Sequence, residues 1–137
     1  MAARVILFHK QSTSARTRFL RFADDTVCGF AALPADAVLV DPAADTIAQH
    51  PAAAIADAAR TLGLAAVDIE AEGGFVAEVE ADGTRVAVFL GRFTAIDPPF
   101  ELAATLGARF VDLTQARDLP AVELALLRRA YETVLGG

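Results

Sequence analysis

Cysteine and histidine are scarce in this sequence: Cys28 is its one thiol, and His9 and His50 are its two imidazoles, in 137 residues. A single thiol excludes an internal disulfide and any cysteine-built zinc cluster. With only two histidines beside it, no structural metal site is expected, and carboxylates alone are left to hold magnesium or calcium. Glycine is missing from the first 28 residues, and the chain has no G-x-x-x-x-G-K-[ST] loop. A loop without glycine cannot bring its backbone close around a pyrophosphate, so no nucleotide cofactor is expected. Long apolar runs are missing too. The longest stretch without a charged residue, Thr46 to Ala56, has 11 residues, whereas a membrane span needs about 20. Near the N-terminus only Val5-Ile6-Leu7-Phe8 is continuously apolar, too short for the core of an export signal. A free thiol, no export signal and no span together predict a cytoplasmic protein that does not enter membranes.

What is present suits a packed core. Hydrophobic residues make up 55% and charged residues 22%, with 31 alanines and nine phenylalanines. The length fits one compact domain over residues 1–137. Lys10 is the only lysine against 11 arginines, a skew that a GC-rich coding sequence produces. The net charge of −6 argues against a general nucleic-acid binder. Its placement is uneven: residues 1–21 hold five basic groups and no acid, and the remainder holds seven basic and 18 acidic groups.

The hydrophobic pattern predicts an α/β fold. Arg4 to Phe8 reads as a strand buried on both faces. Ser14 to Cys28 reads as a helix capped by Gln11-Ser12-Thr13-Ser14 and stopped by Gly29, with Ala15, Phe19, Phe22, Ala23 and Val27 on one side. Ala37 to Val40 is a second buried strand, and Pro51 and Gly63 bracket a second helix. Val67 to Ala71 alternates as a half-exposed strand. Phe75–Glu80 and Arg85–Leu90 flank Asp82-Gly83, a strong hairpin signal. Asp97-Pro98-Pro99 opens a third helix that ends at Gly107. Arg109 to Leu113 is a strand, and Pro120 opens a last helix striped by Leu124, Leu127, Tyr131 and Val134. The expected order is β-α-β-α-β-β-β-α-β-α, giving a mixed sheet of about five to six strands with helices on both faces. In element order alone this is similar to a thioredoxin-like core with an added strand and helix. The CxxC of that family is absent, since Cys28 stands near a helix end.

Three places are candidates for chemistry. In open α/β sheets, ligands bind beyond the carboxyl ends of the strands. There the turn after the first strand offers Lys10, Ser12, Thr13, Ser14 and Arg16 at a helix N-terminus, a site for a small anion. Arg16 in a first helical turn opposes the helix dipole, and a bound phosphate or carboxylate would reverse that misfit. Lys10 and Arg16 bracket five residues as in the C-x5-R phosphatase loop, but Lys10 occupies the nucleophile's position and removes that chemistry. His9 and Asp41, at the ends of the first two strands, are catalytic candidates, His9 forming an acid–base pair with Asp41 or with Asp112. Asp112, Thr114, Gln115 and Arg117 would join them if the last strand is parallel. Finally, Arg92, Phe93, Ile96 and Phe100 surround a rigid Pro-Pro corner, a composition found in interface hot spots.

Two functions remain in view. The first is an accessory or regulatory module that acts by binding a protein partner through the Arg92–Phe100 segment, and an exposed half of the Phe75–Leu90 hairpin could pair with its copy in a dimer. The second is a binding protein or enzyme for a small phosphorylated or carboxylated ligand held by residues 9–16. Whether the chain is an enzyme stays open, because no catalytic constellation is complete.

Overall fold

The computed structural model describes residues 3–136. Eight strands form one mixed sheet: β1 (Arg4–Lys10), β2 (Thr17–Arg21), β3 (Cys28–Gly29), β4 (Val38–Val40), β5 (Ile69–Ala71), β6 (Ala77–Ala81), β7 (Thr84–Phe93) and β8 (Arg109–Val111). Helices α1 (Ala44–Ala48) and α2 (Ala52–Thr61) come between β4 and β5. Helix α3 (Phe100–Thr105) joins β7 to β8, and α4 (Ala121–Gly136) ends the described chain. The main path across the sheet is β4-β6-β7-β1-β2-β8, with β3 also paired to β1 and β5 to β7.

The expected α/β class and mixed sheet with helices on both faces are present, and β1 shows why. Its four apolar residues point alternately to opposite sides, as strand residues must. Ile6 and Phe8 join the core under α4 with Leu126, Leu127, Ala130 and Val134. Val5 and Leu7 join the other core with Ile55, Ala58 and Ala59 of α2, Leu62 just after it and Ala103 of α3. A strand covered on both faces needs an unbroken apolar run, and each such side chain stabilises the fold by about 1.5–3 kcal/mol.

Residues 14–28 depart from the sequence reading: they contain no helix. Gln11 N–H donates to Arg16 O at 2.8 Å and Ala15 N–H to Gln11 O at 2.7 Å, closing a hairpin turn with Ala15 at φ 57°. The chain returns as β2, antiparallel to β1, with Phe8 opposite Phe19, His9 opposite Arg18 and Lys10 opposite Thr17. Helical spacing would have buried one side of this segment only. As a strand it buries both, Phe19 toward α4 and Leu20 toward α3, and it completes an edge of β1. Long-range burial therefore overrides the local period. A second turn, with Phe22 N–H donating to Thr26 O at 2.8 Å, leads into β3, which returns to pair with Val5 and Ile6.

Other corrections follow from this one. The order is β-β-β-β-α-α-β-β-β-α-β-α rather than the alternation expected, with eight strands instead of five to six, and the thioredoxin-like order is lost with the first helix. The alternating order implies parallel pairing between early strands, whereas β1 is antiparallel to β2 and β3 and parallel only to β7, with Val5 opposite Phe89 and Leu7 opposite Gly91. β4 is an edge strand with Val38 exposed, not a buried one. Helix α3 starts at Phe100 rather than beside Asp97. The Asp82-Gly83 hairpin forms as read, with both residues at positive φ, 52° and 73°, between Ala81 and Thr84. No helix of the described residues is long and apolar enough to cross a membrane.

Candidate functional site

The residues singled out by sequence lie mostly at the end of the sheet where β1 and β7 finish. The expected anion site loses its physical premise there, because residues 12–15 lie on a turn that leads into β2 and no helix starts at them. Ser12, Thr13 and Ser14 are exposed on that turn. Lys10 Nζ donates to Val134 O of α4 at 3.3 Å. The Arg16 guanidinium lies 3.7 Å from the Asp112 carboxylate. Different elements thus hold the two cations. Asp112 also accepts from Thr114 Oγ1 at 2.6 Å and from Gln115 N–H at 3.2 Å. The Thr114 hydroxyl, foremost, holds its carboxyl below the usual range, with the Gln115 amide and Arg16 assisting.

His9 is buried, and its Nε2 donates to Ala95 O at 2.8 Å. Nδ1 of His9 and Nη1 of its cross-strand neighbour Arg18 are buried without a hydrogen-bond partner. The Arg18 guanidinium covers the Phe100 ring at 5.7 Å. Asp41 is not near. It follows β4, three strand steps from β1 along the sheet, or ~14 Å at about 4.8 Å per step. Its carbonyl accepts from Arg85. The structure therefore does not bring His9 and Asp41 together as an acid–base pair.

The Arg92–Phe100 group is split. Phe93 is buried and packs edge-on against Phe110 at 5.8 Å. Arg92 projects from the opposite face and pairs with Glu70 at 3.4 Å. Ile96 and Phe100 remain outward, 81% and 54% exposed. Sequence reasoning missed Val67, which is 78% exposed and belongs with them. It lies on a 3₁₀ turn, Ala66–Asp68, ahead of β5. Thr94 ties that turn to the loop, its N–H donating to Asp68 O at 3.0 Å and its hydroxyl to Val67 O at 2.9 Å. In the sequence Val67 looked like the inward half of an alternating strand. The strand begins only at Ile69, and Val67 is left outside it.

A second feature lies at the opposite end of β1. A cavity of about 560 Å³ opens between the start of β1, the residues after β3 and the face of α2. Val5, Phe89, Ala54 and Ala58 supply apolar lining, Phe30 forms a wall, and Gln49, His50 and Asp57 add polar groups. His50 Nδ1 accepts from Ala52 N–H at 3.1 Å. Neither the alanines nor His50 carried a motif that would have drawn notice in the sequence. No known family matches the chain, and no curated protein is similar to it.

Proposed function

We propose that this protein is a non-enzymatic accessory module that docks a protein partner through the 94–100 loop and the adjoining 3₁₀ turn. The observation that carries this reading is a loop pinned firmly while its apolar side chains face water. His9 holds Ala95 O. Gln11 Nε2 donates to Ile96 O and to Asp97 Oδ1, both at 3.2 Å. Thr94 holds the 3₁₀ turn, and Phe100 rests on Phe110 with ring centroids 5.7 Å apart. A loop already ordered loses little entropy on association, so Ile96, Phe100 and Val67 can serve as anchors at low cost. Asp97 and Glu101 stand exposed beside them. The matching partner surface is an apolar pocket with basic residues on its rim.

The test is the double variant Ile96→Asp/Phe100→Asp. Partners recovered by affinity purification on the parent protein are purified and titrated against both forms by calorimetry. Loss of one anchor worth ~2 kcal/mol weakens binding about 30-fold, and loss of both weakens it further. A partner that binds the variant as tightly as the parent overturns this reading. Sedimentation of the protein alone shows whether that partner is a second copy.

A further inference from the structure

We propose that the cavity between the start of β1 and α2 is a binding site for a small, uncharged, mainly hydrocarbon molecule. This site lies at the other end of the strand from the 94–100 loop and does not depend on it. Its origin is the composition of α2. Toward β5 and β7 the helix presents Ile55, which fills the space above Gly91. Toward the start of β1 it presents Ala53, Ala54 and Ala58. Three methyl groups where larger side chains would close the gap leave about 560 Å³ open, within the range of roughly 300–1,000 Å³ that small-molecule sites occupy. The lining is graded with depth. Val5, Ala58 and Phe89 form a buried apolar floor, and the exposed Phe30 ring walls the opening. The polar side chains, Gln49, His50, Asp57 and Thr61, all belong to exposed residues at the mouth.

Charge decides the ligand class. Arg4 borders the cavity, but strand alternation puts its side chain with Ile6 on the α4 face. There its charge acts on the Cys28 thiol, and it is already engaged. The side chain that β1 turns toward α2 at this end is Val5. The Asp57 carboxylate is neutralised by Arg60 of the same helix. The Thr61 hydroxyl donates to Asp57 O at 2.9 Å, and Ala52 N–H donates to Nδ1 of His50 at 3.1 Å. Among the described lining residues, no unpaired charge remains to meet a charge on a ligand. An ion entering the cavity would give up its hydration with nothing to replace it. A hydrocarbon body instead gains about 25 cal/mol for each Å² it removes from water. A single hydroxyl on such a ligand can stay at the mouth, beside Gln49 and His50.

The experiment is displacement of the neutral dye N-phenyl-1-naphthylamine, read by fluorescence. The competitors share one chain length and differ in charge: 1-decanol, decanoate and decylammonium, each below its aggregation concentration. Ala54→Phe fills the cavity from α2, and Ala31→Phe fills it from the segment after β3. The two alanines belong to separate elements, and either variant that keeps the circular dichroism of the parent suffices. We expect decanol to displace the dye from the parent, and both ions to do so at least about tenfold less well, since each must give up its hydration. In a filled variant the decanol effect should fall at least about tenfold, because a close-packed interior leaves no room for the chain. A parent that binds no dye, dye that decanol does not displace, or equal displacement in a folded filled variant overturns the site. Decanoate or decylammonium competing as well as decanol overturns the uncharged assignment.

Discussion

Gly91 sits in the middle of β7 opposite Leu7, where three elements converge, and replacing it with alanine should destabilise the protein. A Cβ built there would lie 2.9 Å from Ile55 Cδ1 of α2, 2.9 Å from Ile69 Cγ2 of β5 and 3.1 Å from Leu7 Cδ2 of β1. Carbon atoms pack at about 3.5–4.0 Å, so the three neighbours must each recede by at least about 0.4–0.6 Å. They are anchored in different elements, and a movement that relieves one presses on another. Overpacking of this kind costs ~1–3 kcal/mol. Against it stands the lower chain entropy of alanine in a strand, about 0.5–1 kcal/mol. The net loss is ~1–2 kcal/mol, a fall in Tm of about 3–10 °C for a domain of this size. Urea unfolding should show a lower midpoint with an unchanged slope. Adding Ile55→Val removes the Cδ1 in the way, and the double variant should recover about 0.5–1 kcal/mol relative to additivity. Gly73 is the control, with nothing within 4 Å of its built Cβ. Gly73→Ala should be neutral or stabilise by up to about 1 kcal/mol. Equal stabilities for Gly91→Ala and Gly73→Ala would refute the packing argument.

Arg21 is buried and forms two contacts with Asp118, at 2.8 and 2.9 Å, which hold the Asp118 carboxyl down to about 2. The folded value lies below the unfolded one of about 3.9, so this stabilisation is complete above about pH 5 and fades as pH falls toward 2. The stability gap between the parent and Asp118→Asn should shrink over that window; a gap that does not vary with pH refutes the pairing. Buried Glu123 accepts from Thr26 Oγ1 at 2.8 Å and from Val27 N–H at 2.9 Å. Glu123→Gln turns an amide NH₂ toward one of those donors and should cost ~1–3 kcal/mol in urea unfolding. Burial, helped by the Glu123 charge, pushes the neighbouring Cys28 thiol far above its ordinary pKa. An aromatic disulfide should therefore label Cys28 only as the fold opens, and faster in Glu123→Gln; complete labelling of the native parent within seconds contradicts this. Gly83 holds φ +73° in the β6–β7 turn, so Gly83→Ala should cost ~1–2 kcal/mol by thermal melting, whereas Asp82→Gly should change little.

Elements whose burial is visible locally were legible in the sequence. β1 needed only its apolar run, the β6–β7 hairpin only Asp82-Gly83, and α2 and α4 only the prolines at their starts. Residues 14–28 were not legible, because both periods fit them. Ala15, Phe19, Phe22, Ala23 and Val27 satisfy a helix, while Thr17 to Arg21 can bury both faces of a strand. The deciding partners are far away. Arg21 can be buried in β2 because Asp118 meets it 97 residues later. Glu123 reaches Thr26 across the same separation. The 94–100 loop was half legible. Its apolar content and Pro-Pro corner stand in the sequence, but the alternation of β7 that hides Phe93 and turns Arg92 away depends on sheet register. The α2 cavity is made by what alanines leave unfilled, and no residue type announces it.

The parallel pairing of β1 with β7 also sets a schedule for biosynthesis. Arg4 pairs with Val88 and Ile6 with Leu90, so each contact spans 84 residues of chain. At ~5–20 residues per second, a ribosome needs about 4–17 s between making the two partners. Throughout that interval β1 and β2 can form their hairpin, but β1, with four consecutive apolar residues, keeps one open edge and an uncovered face on the side that α4 later closes. Such an edge recruits other strands. Synthesis halted before β7 would leave an aggregation-prone fragment, and slow passage through residues 30–85 would lengthen the time for which a nascent-chain chaperone must shield it.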